Sequence, residues 1–173
     1  MNITAGLYKG RKLITPKIET TRPTLSKVRM AVFNVLQAMI DFEGKSFLDM
    51  YSGSGIMGLE AISRGFEEVV FIDKNPDVVK TIKANCDLLK ISPKIFKGDS
   101  LNVVPKLNKN FDVVYIDPPY FGGIYEKSLE VVKASDIIVV EHAVNIDFSA
   151  FEVEVQKKYG DKFLTFLKTK NRM

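Results

Sequence analysis

Four consecutive residues, Asp117, Pro118, Pro119 and Tyr120, follow directly on the apolar run from Phe111 to Ile116. That run, β-branched and aromatic, reads as a short buried strand closed by the prolines. Proline fixes φ and removes a backbone donor, so the turn after the strand is stiff and its carbonyls remain able to accept. The Asp117 carboxylate, the Pro118 carbonyl and the Tyr120 ring then form a rigid cup. Such a cup suits a planar base with an exocyclic amine. Two N–H groups meet two acceptors, and the face of the base meets a ring to stack on. The competing reading is a proline turn that caps a strand, with Tyr120 packed on the core.

A second constellation lies upstream. Ser46 to Met50 reads as another buried strand, and Ile56, Leu59 and Ile62 mark a helix after it. Between them, Gly53, Gly55 and Gly58 match G-x-G-x-x-G, flanked by Ser52 and Ser54. Glycines at a strand-to-helix turn let backbone approach a ligand, and the helix N-terminus offers N–H groups. Gly55→Val is therefore expected to block that approach while leaving the chain folded. The next strand, Val69 to Ile72, ends on Asp73, followed by Lys74 and Asn75. An acid there is placed to accept from two ribose hydroxyls, or is a solvated strand-end acid. Asp99 and Ser100, after the Lys94–Lys97 strand, are placed to reach an adenine amino group, or Asp99 caps the next helix.

Two ligands share this architecture, a nicotinamide dinucleotide and S-adenosylmethionine. A pyrophosphate tolerates no anion beside the glycine loop, yet Asp49 sits just ahead of it. Asp49 pairs more naturally with the ammonium group of a methionine, directly or through water. The Asp117 cup has no role in hydride transfer, so adenosylmethionine is favoured.

Together these residues resemble the RsmD-type bacterial 16S ribosomal RNA (guanine-N2)-methyltransferases. The resemblance rests on Met1 to Leu13, Arg22-Pro23-Thr24, Phe33-Asn34, Asp49 to Gly65 and Asp117 to Tyr120, and runs to Tyr159-Gly160 and the final strand. The loop and the cup are common to many amino-methyltransferases; the basic start, with Lys9-Gly10-Arg11 and Arg22-Pro23-Thr24, narrows the match. There are departures. The loop reads Met50-Tyr51-Ser52 where the family usually has Leu-Phe-Ala, Asp73 stands where Glu is common, Ser26-Lys27 replaces a frequent Asp-Arg, and Asp161-Lys162 follows Tyr159-Gly160 less typically. The resemblance implies a Rossmann-like α/β fold of the class I methyltransferases. Its mostly parallel seven-stranded sheet would end in an antiparallel hairpin, preceded by a small N-terminal β-hairpin arm. It also implies S-adenosylmethionine as cofactor, no metal, and 16S RNA within a small ribosomal subunit or assembly intermediate as partner. Asp117, Pro118, Pro119 and Tyr120 would be catalytic, and Asp49, the loop from Ser52 to Gly58, Asp73, Lys74, Asn75, Asp99 and Ser100 would hold the cofactor.

Composition fits. The 173 residues, 46% hydrophobic with mean hydropathy near zero, are expected to form one domain with a real core. Within it, residues 1–23 are a basic hairpin and loop, and residues 24–173 are the core. No run approaches a bilayer span, and no signal peptide opens the chain. The single cysteine, Cys86, fits a reducing cytoplasm and a buried helical position. One histidine, His142, excludes a multi-histidine metal site. Residues 1–45 carry eight Lys or Arg against three Asp or Glu, whereas the remainder is nearly balanced. The basic excess, with Lys9, Arg11, Lys12 and Arg22, is where phosphates are expected to bind. A second basic cluster runs from Lys157 to Arg172.

The element order predicted is a hairpin (Ile3–Ala5, Arg11–Ile14), a Thr- and Pro-rich mobile loop over 15–23, and a helix capped by Thr24. Strands and helices then alternate, which argues a parallel sheet wrapped by helices. A final hairpin pairs Phe151–Val155 with Phe163–Leu167. Other readings stay open: an amino-methyltransferase for adenine N6 of DNA or a protein amide, and a non-catalytic RNA-binding relic. No separate target-recognition domain is present for DNA, and every residue a relic would lose is in place.

Overall fold

The computed structural model describes residues 1–17, 26–119 and 122–170. The strands are β1 (Ser46–Asp49), β2 (Glu68–Asp73), β3 (Lys94–Lys97), β4 (Val113–Ile116), β5 (Ile137–His142), β6 (Phe151–Tyr159) and β7 (Lys162–Thr169). They form one sheet in the order β3-β2-β1-β4-β5-β7-β6. The first five are parallel, and β7 is antiparallel to both β5 and β6. Strands β1, β4 and β5 are buried along their whole length. That is why they read as unbroken apolar runs: both faces of a parallel sheet are covered.

The helices are α1 (Ser26–Met39), α2 (Ile56–Ser63), α3 (Pro76–Leu89), α4 (Ser100–Leu107) and α5 (Ile124–Val132). Two apolar layers flank the sheet. One joins α1, α2 and α3 to Phe47, Phe71, Val113, Tyr115, Val139 and Phe166. The other joins α4 and α5 to Leu48, Val70, Val114, Ile138 and Leu167. Strand order turns back between β1 and β4, so their carboxyl ends diverge into a crevice. No helix among the described residues is long and apolar enough to cross a membrane.

The N-terminal segment departs from the expectation. The expected hairpin is present only as a short pairing, not as full strands over Ile3–Ala5 and Arg11–Ile14: the antiparallel bridge of Asn2 with Lys12 is accompanied by Ile3 N–H to the Arg11 carbonyl (3.1 Å), Gly10 N–H to the Ile3 carbonyl (2.8 Å) and Leu13 N–H to the Met1 carbonyl (2.8 Å). Its ends are not a free arm, since Ile3 and Leu13 are buried in the core with α1. Beyond that pairing, the segment lies across helices and bonds to them. Leu7 N–H donates to the Ser63 carbonyl (2.8 Å), and Ile14 N–H to Asn85 Oδ1 (2.8 Å). The proposed Thr24 cap and most of the 15–23 loop lie outside the described residues.

Buried Glu60 is the hub of that docking. Its carboxylate accepts from Thr4 N–H (2.9 Å) and from the Thr4 hydroxyl. It also faces Arg29 Nε at 3.5 Å and Arg64 Nη2 at 3.7 Å. Burial pulls the Arg29 guanidinium below its ordinary pKa, and Glu60 opposes that fall.

Candidate active site

A cavity of about 900 Å³ opens at the carboxyl ends of the parallel strands. Almost every residue singled out for the cofactor or for catalysis lines it: Asp49, Ser52 to Ser54, Asp73 to Asn75, Asp99, Ser100, and Asp117 to Pro119. Tyr120 lies outside the described residues, as does Arg22.

The loop after β1 is built on glycine for two different reasons. Gly55 has φ +78°, and a Cβ there would meet Ile82 Cγ1 at 2.8 Å. At Gly58 a Cβ would fall 2.2 Å from the Phe71 ring. The third glycine of the motif therefore serves helix-to-sheet packing. Gly55→Val would strain the turn and collide with α3 before it tested any ligand, which corrects the expectation that it acts on binding alone. The N-terminus of α2 is also partly spoken for. Gly58 N–H donates to Asp49 Oδ2 (3.1 Å) and Ile56 N–H to Ser54 Oγ (3.4 Å). A carboxylate of the protein thus sits where a phosphate would go.

Asp49 is fully buried, and that burial, with Asp73 and Asp117 nearby, pushes its carboxyl well above the usual range; the Gly58 bond resists. Asp73 accepts Gly53 N–H on Oδ2 and Asn75 N–H on Oδ1, both at 2.9 Å, which leaves one lone pair on each oxygen for a diol. Asn75 Oδ1 caps α3 through Asp77 N–H (2.9 Å). Exposed Asp99 caps α4 through Leu101 N–H (3.0 Å), and it also lines the cavity. The hydroxyls of Ser52 and Ser100 brace the wall. Ser52 donates to the Asp49 carbonyl (2.8 Å) and accepts from Ile72 N–H (3.0 Å), and Ser100 donates to the Met50 carbonyl.

The cavity also takes in residues that sequence reasoning passed over: Tyr51, Tyr115, Glu141, Asp161 and Lys162. Glu141 follows the rule that found Asp49, Asp73 and Asp117, an acid at the end of a buried strand. Lys162 carries no such signal, because its place depends on β7 entering the sheet beside β5. The Tyr115 hydroxyl donates to Glu141 Oε2, and Lys162 Nζ to Oε1 at 3.1 Å. Burial, and then Glu141, lift Asp117 to about 7, while Lys162 pulls it down. Both ring nitrogens of His142 are taken up, by the Val144 carbonyl (2.8 Å) and Thr165 Oγ1 (2.7 Å). Cys86 is buried, and its thiol is pushed up to about 11. Among the described residues no cluster of three or more His, Cys, Asp or Glu is arranged to hold a metal ion.

Lys9, Arg11 and Lys12 are not brought to this cavity. Arg11 Nη2 donates to the carbonyl of Leu88 (3.1 Å), in the last turn of α3, and Leu7 sits on the last residue of α2. Both helices start at the cavity and run away from it. The 14 residues of α3 put Arg11 about 20 Å off, at 1.5 Å per residue.

A sheet with β7 inserted antiparallel beside β5, a glycine turn after β1 and a strand-end Asp117-Pro118-Pro119 turn after β4 define an α/β methyltransferase of Rossmann-like architecture. Solved structures agree. The Escherichia coli protein yhhF, provisionally described as a methyltransferase, superposes with TM-score 0.88 at 24% identity, covering 99% of both chains. HI0767 of Haemophilus influenzae, provisionally described as a methylase, gives TM-score 0.79 at 26% identity and 97% of both chains. In sequence, the chain is 34% identical over 137 residues to ribosomal RNA small subunit methyltransferase D of Haemophilus influenzae, covering 76% of this chain and 70% of that one. It is 31% identical over 176 residues to YlbH of Bacillus subtilis, provisionally named an rRNA methyltransferase, covering 95% and 91%. A family model described as "conserved hypothetical protein 95" matches residues 1–168. The chain belongs to that family, the RsmD-type methyltransferases.

Proposed function

We propose that this methyltransferase carries a methyl group from S-adenosylmethionine to the exocyclic N2 amine of a guanine in 16S ribosomal RNA. The observation that carries the reading is the charge and shape of the cavity. Six acids line it (Asp49, Asp73, Asp99, Asp117, Glu141, Asp161) against three lysines (Lys74, Lys127, Lys162). Such a site repels a pyrophosphate and attracts a ligand with a sulfonium and an ammonium centre. The buried Asp49 faces the ammonium group. The Asp73 oxygens take the ribose hydroxyls, and Asp99 takes the adenine amine beside the loop of Ser52, Gly53 and Ser54. Lys74, Asn75 and Ser100 shape the same wall. When bound, S-adenosylmethionine supplies an electrophilic methyl group on cationic sulfur.

The remaining work falls to the cup. An aryl amine is a weak nucleophile because its lone pair is delocalised into the ring. The Asp117 carboxylate and the Pro118 carbonyl accept its two N–H groups, which draws the nitrogen toward tetrahedral geometry and frees that pair. Pro119 stiffens the turn, Tyr120 is the stacking platform, and the rigid frame supplies proximity. The cup itself serves any exocyclic amine. The RNA target is supported by the names of the relatives and by the lysines beside the cavity mouth. A paired guanine cannot enter, so the target base is unpaired or flipped out.

We place the reaction in the cytoplasm, on a small subunit or assembly intermediate, with the whole chain acting as one methyltransferase domain. Labelled adenosylmethionine should bind and NADH should not. Transfer of labelled methyl to RNA and subunits from a strain lacking this protein, followed by mapping, tests the target. Asp117→Ala should cut transfer about a thousandfold, within the range for loss of a positioned acid–base group. Cofactor affinity should be nearly kept, and Asp117→Asn should retain partial activity. Full activity in the folded Asp117→Ala protein removes the cup from the mechanism.

A further inference from the structure

Glu141 and Asp117 occupy the ends of neighbouring parallel strands. The β4–β5 register pairs Ile116 with Val140, so the next residues on each strand stand side by side, and both line the cavity. Two carboxylates carried side by side on adjacent strands of one cavity wall repel each other when both are ionised. Like charges that close cannot both ionise cheaply away from water, so the pair favours holding one proton between its two members. Glu141 is buried at 5% exposure and held on both oxygens, by the Tyr115 hydroxyl and by Lys162. The Lys162 side chain, at 47% exposure, reaches solvent. The cluster therefore runs from the cup, through Asp117 and Glu141, to water.

We propose that Asp117 and Glu141 act as one proton-sharing pair, which takes up the proton released by the methylated amine and passes it out along Glu141 toward Lys162. This rests on the amino-methyltransferase reading of the cavity. In the step, one N–C bond forms as one C–S bond breaks, and the electrons of the latter stay on sulfur, which becomes a neutral thioether. The nitrogen, briefly cationic, loses one proton to the Asp117 oxygen facing it. The proton already shared moves onto Glu141, and Glu141 releases a proton to solvent. Lys162 pairs with the carboxylate left behind, and Tyr115 fixes its orientation. Asp117 touches the substrate; Glu141, Tyr115 and Lys162 are positioning residues.

Among the described residues, the charged and titratable groups that share the cavity wall with the pair include Asp49 on β1, Tyr115 on β4, Tyr125 and Lys127 on α5, His142 on β5, and Asp161 and Lys162 at the β6–β7 tip. The Tyr125 hydroxyl is committed to the Glu141 carbonyl (2.9 Å). Of these, Glu141 raises the Asp117 carboxyl and Lys162 lowers it. Substitutions at the two must therefore act with opposite sign.

The test is carbon-13 NMR titration of the aspartate carboxyls, with Asp117 assigned through Asp117→Asn, beside the pH dependence of methyl transfer to small subunits. Glu141→Gln should move the Asp117 midpoint down by about a unit, and Lys162→Met should move it up. The acid limb of the rate should follow each shift. The plateau rate in Glu141→Gln should fall about tenfold with KM nearly constant. Lys162→Met, at an exposed position, keeps the test open if Glu141→Gln fails to fold. An Asp117 midpoint unmoved by either change, with transfer intact, overturns the pair alone. Absence of any transfer by the wild-type protein overturns the functional reading, and the source of the proton with it.

Discussion

The segment Met1–Leu13 and the β6–β7 hairpin are both turns with basic tips, yet the fold uses them at opposite ends of the sheet. The first crosses the far ends of α2 and α3 and is tied down by the buried carboxylate of Glu60. The second adds two strands to the sheet and puts Asp161 and Lys162 into the cavity wall. Lys27, at the start of α1, lies 5.7 Å over the Tyr159 ring, and Lys158 lies 5.6 Å over Phe163. Basic charge therefore collects beside the cup from the C-terminal hairpin and α1. The lesson is that a cluster of lysines and arginines carries no address. Its role follows from which end of the strands it is carried to.

The largest effect that sharpens this contrast is on stability. Glu60→Ala removes the buried carboxylate that faces Arg29 and Arg64 and holds Thr4 of the N-terminal segment. Removing one partner of a buried pair costs about 3–5 kcal/mol, read as a lower denaturant midpoint. Lys162→Met, which breaks a half-exposed pair, should cost under about 1 kcal/mol. A Glu60→Ala protein as stable as the parent would break the claim that the N-terminal segment is structural.

RNA affinity comes next. Reversing Lys27, Lys157 and Lys158 together should weaken binding of a short stem-loop about tenfold or more. It should also flatten the log–log salt slope by roughly two to three, near one unit per phosphate contact. Reversing Lys9, Arg11 and Lys12 should hardly touch the stem-loop. It should weaken only a target large enough to reach about 20 Å past the cup, such as a small subunit. Equal losses on the stem-loop from both sets would erase the distinction between the two ends.

A third measurement concerns the pH dependence of stability. Asp117 titrates at about 7 in the folded chain, above its ordinary carboxylate value of 3.8, chiefly through burial. A carboxyl raised in this way binds its proton more tightly folded than unfolded. Stability of the ligand-free protein should therefore fall as pH rises from about 4 to about 7, then level off. Asp49 contributes in the same direction. Asp117→Asn should shallow that slope, as measured by thermal midpoints across the range; an unchanged slope would remove Asp117 as a source of it.

Local order determined what the sequence showed. Strands covered on both faces declare themselves as apolar runs, and a glycine turn or a proline pair constrains backbone wherever it occurs. The alternation of elements, Asp49, the glycine loop, Asp73 and the Asp117 turn were legible for that reason. What lies side by side across the sheet was not. Glu141 meets Asp117 because β5 pairs with β4, and Lys162 reaches Glu141 because β7 inserts beside β5 instead of at the edge. Arg29, one cation of the basic N-terminal stretch by composition, is buried against Glu60, 31 residues away along the chain. Periodicity records which face of its own element a residue occupies. Neighbours from distant elements are set by strand order and helix docking, and those are decided by how the whole apolar surface is buried at once.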